Sequence, residues 1–336
     1  QCVVGLLLLL QLVERQAQLG IALALRRQVL PQAAQLAPLT LPDHHPQHAE
    51  LTPLATQVEP VVAGEAAALG QGRLVGRTQQ GGSAGVEPVG VGAADRADFR
   101  RWSLGTAQVF NPVKTPEMIA ELAANNACLD AYFRRAVAAR KQRPHNDLIG
   151  AMVAAEADGD RLGDDEIVTM CNLLLIAGNV TTTDLIGNTV LALLRNPAEL
   201  AKLRARPELV AAAVEEALRL DPPVTQSLRT PTHDIEIDGV KVPAGSSVMP
   251  VLIAGSQDAA LHADPLRYDI ERADKTHFAF GGGAHFCLGA PLAKAEAEIA
   301  ITRLLARLPH LALAERPVER NFAPAFNGVK ALWVRA

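Results

Sequence analysis

Apolar and polar residues follow a helical period over most of the chain between residues 115 and 220. Thr115 is a residue type that caps helices, Pro116 suits a first helical turn, and Glu117 places an acid near the positive end of a helix. These three residues therefore predict a helix that runs to Arg140. The same periodicity predicts three shorter helices, over residues 146–157, 197–206 and 208–220.

The most apolar pattern begins at Asp164 or Asp165, either of which can cap a helix, and it ends at Asn196-Pro197. A helix of about thirty residues, with a rise of about 1.5 Å per residue, would cross a whole domain. Because apolar side chains occupy most of its circumference, this helix is predicted to be buried on most sides.

After residue 223 the period changes from helical to two. Alternating apolar residues on either side of Asp238-Gly239 predict two strands joined by a tight turn. Further extended segments are predicted over residues 247–254 and 332–334, and a helix is predicted after Cys287. The pattern as a whole predicts a mainly α fold with a smaller β portion.

The first 92 residues differ in composition from the rest of the chain. None of the 12 aromatic residues precedes Phe99, and no lysine precedes Lys114. The stretch from Gly70 to Gly92 is rich in Gly, Gln and Val without a clear period. We therefore interpret residues 1–92 as an anomalous segment, degenerate or frame-shifted, that packs poorly, and residues 93–336 as the catalytic domain.

Composition narrows the function classes. The 336 residues are 49% hydrophobic, enough for a large core, and the net charge of −4 gives no electrostatic case for nucleic acid or an anionic membrane. The apolar run Val3 to Val13 resembles the core of a signal peptide, but no basic region precedes it, no clear cleavage site follows, and it is too short to span a bilayer, which favours a buried helix or an anomaly over a secretory signal. Four widely spaced cysteines predict neither a disulfide framework nor a zinc site, so a cytoplasmic location is expected; these are Cys2, Cys128, Cys171 and Cys287.

One of these cysteines lies in a glycine-rich loop, within the sequence Phe-Gly-Gly-Gly-Ala-His-Phe-Cys-Leu-Gly of residues 280–289. Consecutive glycines let the backbone turn with positive φ and approach a flat ligand closely. Cys287 stands where a helix is predicted to begin, which favours a thiolate, and His285 can donate to an anionic group nearby. The arrangement suits a thiolate bound to iron, although a cysteine in such a turn can also be a small buried apolar residue.

The loop resembles the haem-binding loop of the cytochrome P450 family of haem-thiolate monooxygenases. Six positions match that pattern one by one: Phe280, Gly281, Gly283, His285, Cys287 and Gly289. The resemblance implies a P450-like fold whose N-terminal third is atypical or missing. It also implies haem b as cofactor, with Cys287 as the iron ligand and with haem contacts from Phe280, Gly281, His285 and Gly289.

The long predicted helix carries a second candidate site at Ala177, Gly178 and Thr181. Small residues admit a ligand, and a threonine hydroxyl can open a helix, although the pattern taken alone favours threonines at a packing crossing. The resemblance implies that these three residues belong to the oxygen-activating helix, with Thr181 delivering protons. The family usually has an acid before this threonine, where this chain has Val180. Asp184 is too late to replace it by simple register, so impaired proton delivery and peroxide release are expected.

Glu216 and Arg219 are three apart on a predicted helix, so their side chains meet on one face. Taken alone, the pair is a solvated ion pair. The resemblance implies instead a buried structural network with Arg267, from the segment Pro-Leu-Arg-Tyr. It also implies that Arg229 contacts a haem propionate, for which a guanidinium is well suited.

The resemblance implies the function. The chain is expected to be a monooxygenase that hydroxylates an apolar small molecule with O₂ and two electrons from a ferredoxin-type donor. Two alternatives remain. The chain can be an inactive or damaged fragment of such an enzyme, for which the composition of residues 1–92 is the evidence. It can also be a haem-binding sensor or a peroxide-using enzyme, for which Val180 is the reason.

Overall fold

The computed structural model describes residues 98, 101–102, 105–106, 109, 114–145, 147–157, 160–320 and 325–335. The interpretations of residues 1–92 and of the apolar run Val3 to Val13 lie outside the described residues. Within the described part the chain is mainly helical with small two-stranded sheets, which confirms the predicted class. No helix in these residues is long and apolar enough to span a membrane.

Seven α-helices with defined bounds follow one another along the described chain. They are α1 (Pro116–Gln142), α2 (Leu148–Ala154), α3 (Asp164–Arg195), α4 (Pro197–Ala205), α5 (Val210–Leu220), α6 (Leu252–Ser256) and α7 (Ala290–Arg307). Two 3₁₀ turns accompany them, Pro207–Leu209 and Gly283–His285.

The strands form antiparallel pairs. The strands are β1 (Glu156–Ala157), β2 (Asp160–Arg161), β3 (Ile235–Ile237), β4 (Val240–Val242), β5 (Ala312–Leu313), β6 (Glu319–Arg320), β7 (Val329–Ala331) and β8 (Val334–Arg335). Strand β1 pairs with β2, β3 with β4, β5 with β8 and β6 with β7.

The described residues group into two compact units. The first contains the described chain up to Val180 together with 291–308, and the second contains 181–290 and 309–335. Helix α3 contributes its first half to one unit and its second half to the other. The division of the chain at residue 92 stays a prediction.

In the first unit, α1 begins where the sequence predicts. The Thr115 hydroxyl oxygen accepts a hydrogen bond from the Met118 amide at 3.3 Å. Asp147 caps α2 by accepting from the Gly150 amide at 2.8 Å, and it pairs with Arg140 of α1 at 2.6 Å. The predicted helix over 146–157 is too long, because residues 156–157 leave it to form the hairpin with β2.

In the second unit, the hairpin of β3 and β4 turns at Asp238-Gly239 as predicted. Both residues have positive φ, 48° and 78°, which this tight turn requires. The strand predicted over 247–254 is wrong in its second half, where α6 begins at Leu252. The last bond between the two segments runs from the Ile253 amide to the Thr225 carbonyl, and the helical bonds begin with the Gly255 amide, which donates to the Val251 carbonyl.

Candidate active site

The cysteine loop joins α6 to α7 through a sharp backbone turn. Gly281 and Gly283 have φ of 69° and 66°, which residues with a side chain rarely adopt. The Gly281 amide donates to the Phe278 carbonyl at 2.8 Å, and the Cys287 amide donates to the Phe280 carbonyl at 3.0 Å. These bonds close the loop and hold the backbone of Cys287 in place.

Cys287 stands immediately before helix α7. Its carbonyl accepts from the Ala290 amide at 3.3 Å, and α7 starts at Ala290, so the cysteine is three residues before the helix rather than in it. The free thiol is half-buried. A Cβ at Gly289 would lie 4.0 Å from the sulfur, so a side chain there would be in contact with the thiol.

The other two described cysteines are poor candidates for a thiolate ligand. Cys171 is completely buried on α3, and burial raises the pKa of its thiol to about 12, so this thiol keeps its proton. Cys128 lies exposed on α1. Cys287 is therefore the described cysteine that combines partial access with a helix start.

The exposed side of the loop can receive a flat group. A Cβ at Gly282 or Gly283 would meet no heavy atom within 4 Å, and the side chains of His285 and Phe286 are exposed. No cluster of three or more His, Cys, Asp or Glu residues able to hold a metal ion occurs in the described chain. An iron bound here would thus need further ligands from a cofactor, which is the situation of haem.

A buried ion network holds the chain that leads to this loop. Glu216 and Arg219 on α5 are both inaccessible to solvent and form two parallel bonds of 2.9 Å. The Arg219 guanidinium also donates to three backbone carbonyls, those of Ser256, Pro265 and Arg267, so all five of its N–H groups are used. The role of Arg219 is structural, because three of its five N–H groups donate to backbone carbonyls.

The third member of the network is Arg272, and the expectation of Arg267 is wrong. Arg272 Nε donates to Glu216 Oε1 at 3.0 Å, and its other nitrogens bond the carbonyls of Ala263, Asp264 and Arg267. Arg267 contributes only its carbonyl oxygen, while its side chain is 61% exposed and 3.5 Å from Asp269. The segment turns so that the side chain of Tyr268 is buried instead, and its hydroxyl donates to the Ala213 carbonyl.

On helix α3 the residues of the second candidate site differ in exposure. Ala177 and Gly178 are exposed, and a Cβ at Gly178 would meet nothing within 4 Å. Val180 and Thr181 are half-buried, and Thr182 is buried. The helix continues through all of them to Arg195.

Arg229 lies on an extended segment. Its backbone exchanges two bonds with Val248, of 2.8 and 2.9 Å, and its exposed side chain donates to Ser227 Oγ and to the Leu228 carbonyl. These bonds orient the guanidinium while leaving it accessible to an anionic ligand.

Comparison with known proteins identifies the family. A family model described as Cytochrome P450 matches residues 202–327. The Cytochrome P450 monooxygenase PikC of Streptomyces venezuelae is 39% identical over 253 residues, which are 74% of this chain and 59% of that protein. The ligand-free structure of Cytochrome P450 TbtJ1 matches with a TM-score of 0.76 and 32% identity, over 95% of this chain and 77% of that one. The chain belongs to the cytochrome P450 family.

A further P450 structure also matches, but the chain covers only part of the length of its relatives. A complex of P450BioI with hexadec-9Z-enoic acid ligated Acyl Carrier Protein matches with a TM-score of 0.73 and 31% identity, covering 82% of this chain and 67% of that one. The chain spans about three fifths of the length of the curated relatives it matches, 59% and 60% for the first two. P450 members bind haem through a cysteine thiolate. The predicted P450-like fold is confirmed.

Sequence reasoning missed a histidine behind the cysteine loop of this P450. His277 lies against Glu215 of α5, with 2.9 Å between Nε2 and a carboxylate oxygen, and its ring is 5.8 Å from that of Phe280. Its Nδ1 accepts from the Ala279 amide at 3.2 Å. With Nδ1 as acceptor, Nε2 carries the proton and donates to Glu215. The sequence partly indicated this contact, because His277 is only three residues before Phe280 of the cysteine loop.

Asp184 on α3, which the sequence register excluded as the acid beside Thr181, is buried in the structure. Asp184 is 5% exposed and packs against Gly328, where a Cβ would lie 1.9 Å from Asp184 Oδ1. Burial raises the pKa of Asp184 to about 7, although the charge of Arg320 acts in the opposite direction. Glycine at 328 is therefore required for this carboxyl to keep its place.

The raised pKa of Asp184 is expected to lower the free energy of unfolding as the pH rises from about 4 to about 7. In this range the unfolded chain has released the Asp184 proton while the folded chain retains it, so rising pH favours unfolding. The pKa change from 3.8 to about 7 corresponds to at most about 4 kcal/mol. Asp184→Asn, which cannot ionise, should gain stability relative to the unmodified chain between about pH 5 and pH 8, as measured by urea unfolding.

Asp165→Asn provides the control for this measurement. Asp165 is on the same helix, but its side chain is 82% exposed. Its replacement should change stability by a similar small amount at both pH values. An advantage of Asp184→Asn that does not grow with pH would contradict the prediction.

Proposed function

We propose that this P450 chain is a haem-dependent monooxygenase that hydroxylates an apolar small molecule with O₂. The two electrons would come from NAD(P)H through a ferredoxin or a similar donor. The observation that carries the proposal is the cysteine loop, in which Cys287 is half-buried, close to a helix start and next to open space over Gly282 and Gly283. Family membership supports the reaction class.

Cys287 would hold the haem iron through its sulfur. The bond from the Cys287 amide to the Phe280 carbonyl would fix the backbone that carries the sulfur, just before the start of α7 at Ala290. Haem, when bound, supplies the activation of O₂. Phe280, Gly281 and Gly289 would line the same face of the loop.

His285 and Arg229 would pair with the carboxylates of the haem. Both side chains are exposed in the second unit, and both can donate to an anion. Arg229 is held by Ser227 Oγ at 3.1 Å, so little side-chain freedom would be lost when it binds a carboxylate. The arginine offers a planar fork of donors that matches a carboxylate.

Helix α3 would supply the oxygen side of the site. The exposed Ala177 and Gly178 leave room for a small molecule, and the hydroxyl of Thr181 can both accept and donate a proton. Val180, which precedes it, can do neither. The role of Thr181 is to hold a proton donor or a water against the oxygen substrate.

An apolar substrate is supported by exposed apolar side chains on two adjoining segments. Leu228, Met249 and Val251 are 57%, 53% and 50% exposed. The segments that carry them are paired through the bridges of Gln226 with Val251 and of Arg229 with Val248. Apolar surface of this kind is unfavourable in water and favours an apolar ligand.

The proposal is tested with the purified chain and haem. Reduction under carbon monoxide should give the red-shifted Soret band of thiolate-ligated haem. NAD(P)H oxidation with a ferredoxin and its reductase should then depend on an apolar substrate and yield a hydroxylated product. Absence of haem binding would point to an inactive fragment. Product formed with hydrogen peroxide alone would point to a peroxide-using enzyme, and stable haem binding without turnover would point to a sensor.

A further inference from the structure

A cluster of polar residues lies behind helix α3 in the second unit, made of Asp184, Asn188, Asp221, Arg320 and Asn327. Asn188 Nδ2 donates to the carbonyls of Asp221 and Asn327 at 2.8 and 2.7 Å. Arg320 pairs with the Asp221 carboxylate and donates to Asn327 Oδ1 at 2.7 Å. Asp221 is therefore neutralised by a cation, whereas Asp184 is not paired in this way.

Two oxygen atoms of this cluster are buried without a donor. Within the described chain, Asp184 Oδ2 and Asn188 Oδ1 have no hydrogen-bond partner. The two residues are four apart on α3, so they lie on one face of the helix. A buried acceptor without a donor is unfavourable. A protonated Asp184 with one bridging water would satisfy both oxygens, because the carboxyl then becomes a donor.

Asp184 and Thr181 lie on the same face of α3, three residues apart. Side chains on an α-helix tilt toward the helix N-terminus and cover the preceding turn. The turn before Asp184 contains Val180 and Thr181, four and three residues earlier. Residues at these separations are neighbours on the helix surface. Asp184 is thus an acid one helical turn after Val180, the position at which the P450 pattern usually has an acid.

We propose that Asp184 supplies protons to Thr181 through a buried water, in place of the acid that is absent at Val180. This rests on the proposed monooxygenase function. The O–H bond at Asp184 Oδ2 breaks as the water takes that proton, and the water passes one of its own to the Thr181 hydroxyl. The hydroxyl releases its original proton to the oxygen substrate, so one proton moves and no electrons are exchanged. Asp184 regains a proton from solvent through its cluster, where the side chains of Arg320 and Asp221 are 29% and 21% exposed.

Two properties of the site support this role. The raised pKa of Asp184, to about 7, means that both forms of the carboxyl are accessible near neutral pH. The charged group that acts on Asp184 is Arg320, which favours the carboxylate and is itself paired with Asp221. On this proposal Asp184 would offset the loss of proton delivery expected from Val180, since it lies one helical turn later.

The first test is infrared spectroscopy of the whole chain near neutral pH. The unmodified chain should show the carbonyl band of a protonated carboxyl, shifted in D₂O, that Asp184→Asn lacks. Burial also raises the pKa of Glu296 to about 7, so Glu296→Gln identifies its separate band. This measurement needs no turnover, so it stands even if the proposed reaction fails. Absence of any Asp184-dependent band would overturn the proposal.

The second test measures hydrogen peroxide released per NAD(P)H oxidised. Asp184→Asn keeps the shape of the side chain but removes the proton, so product formation should fall by about 10²-fold and peroxide should rise. Introducing Val180→Asp into Asp184→Asn should restore coupling, whereas Val180→Asp alone should leave the ratio unchanged. Glu296→Gln removes a half-buried carboxyl on α7 and should leave coupling unchanged. Unaltered coupling in Asp184→Asn, or a loss that Val180→Asp does not rescue, would overturn the proposal.

Discussion

Replacement of Cys287 by alanine is expected to abolish the red-shifted Soret band that thiolate-ligated haem gives after reduction under carbon monoxide. Alanine removes the sulfur while leaving the two backbone bonds of residue 287, to Phe280 and Ala290, in place. The loop should therefore persist while its iron ligand is lost. The band can be recorded on the purified, haem-reconstituted chain without any substrate or electron donor.

Two matched replacements control for the loss of a thiol in general. Cys128→Ala removes an exposed thiol, and Cys171→Ala removes a fully buried one whose pKa of about 12 keeps it protonated. Both should retain the band. Survival of the band in Cys287→Ala, or its disappearance in Cys128→Ala, would contradict the assignment of Cys287.

Removal of Glu216 is expected to produce the largest loss of stability in the chain, about 3–5 kcal/mol. Glu216→Ala would leave Arg219, which is inaccessible to solvent, and Arg272, which is 11% exposed, facing each other without an anion. Their remaining bonds to backbone carbonyls would not balance two buried charges. Urea unfolding of the whole chain measures the change.

The comparison of Arg272→Ala with Arg267→Ala tests the membership of the network even if Glu216→Ala does not fold. Arg272→Ala removes a direct bond of 3.0 Å to Glu216 and should cost several kcal/mol, about as much as other broken buried pairs. Arg267→Ala removes a side chain that is 61% exposed and should cost less than about 1 kcal/mol. Equal losses in both variants would contradict the arrangement of the network.

Local chemistry made a large part of the fold predictable. The start of α1 at Pro116, the 32-residue helix α3 and the Asp238-Gly239 turn all depend on residues adjacent in the sequence. A cap, a periodic apolar pattern or a pair of residues with positive φ acts within a few positions. These features could be read without knowledge of any distant contact.

The errors have a common physical origin in longer-range contacts. The strand predicted over 247–254 gives way to α6 at Leu252, where the last bond to the neighbouring segment joins the Ile253 amide to the Thr225 carbonyl. Arg272 replaces Arg267 in the network because the segment turns its Tyr268 ring inward. Neither outcome follows from spacing, since both depend on which face of a segment meets another element.

The sequence by itself determined the family and the helical class, and it indicated which cysteine would bind iron, because the glycine spacing around Cys287 and the helix patterns are local properties. Only the tertiary structure decided which arginine completes the network at Glu216 and which carboxyl is buried on α3. Asp184 is isolated from solvent by Gly328, which lies 144 residues further along the chain. Burial of a charge is set by such distant neighbours, and it is burial that changes the proton affinity of the group.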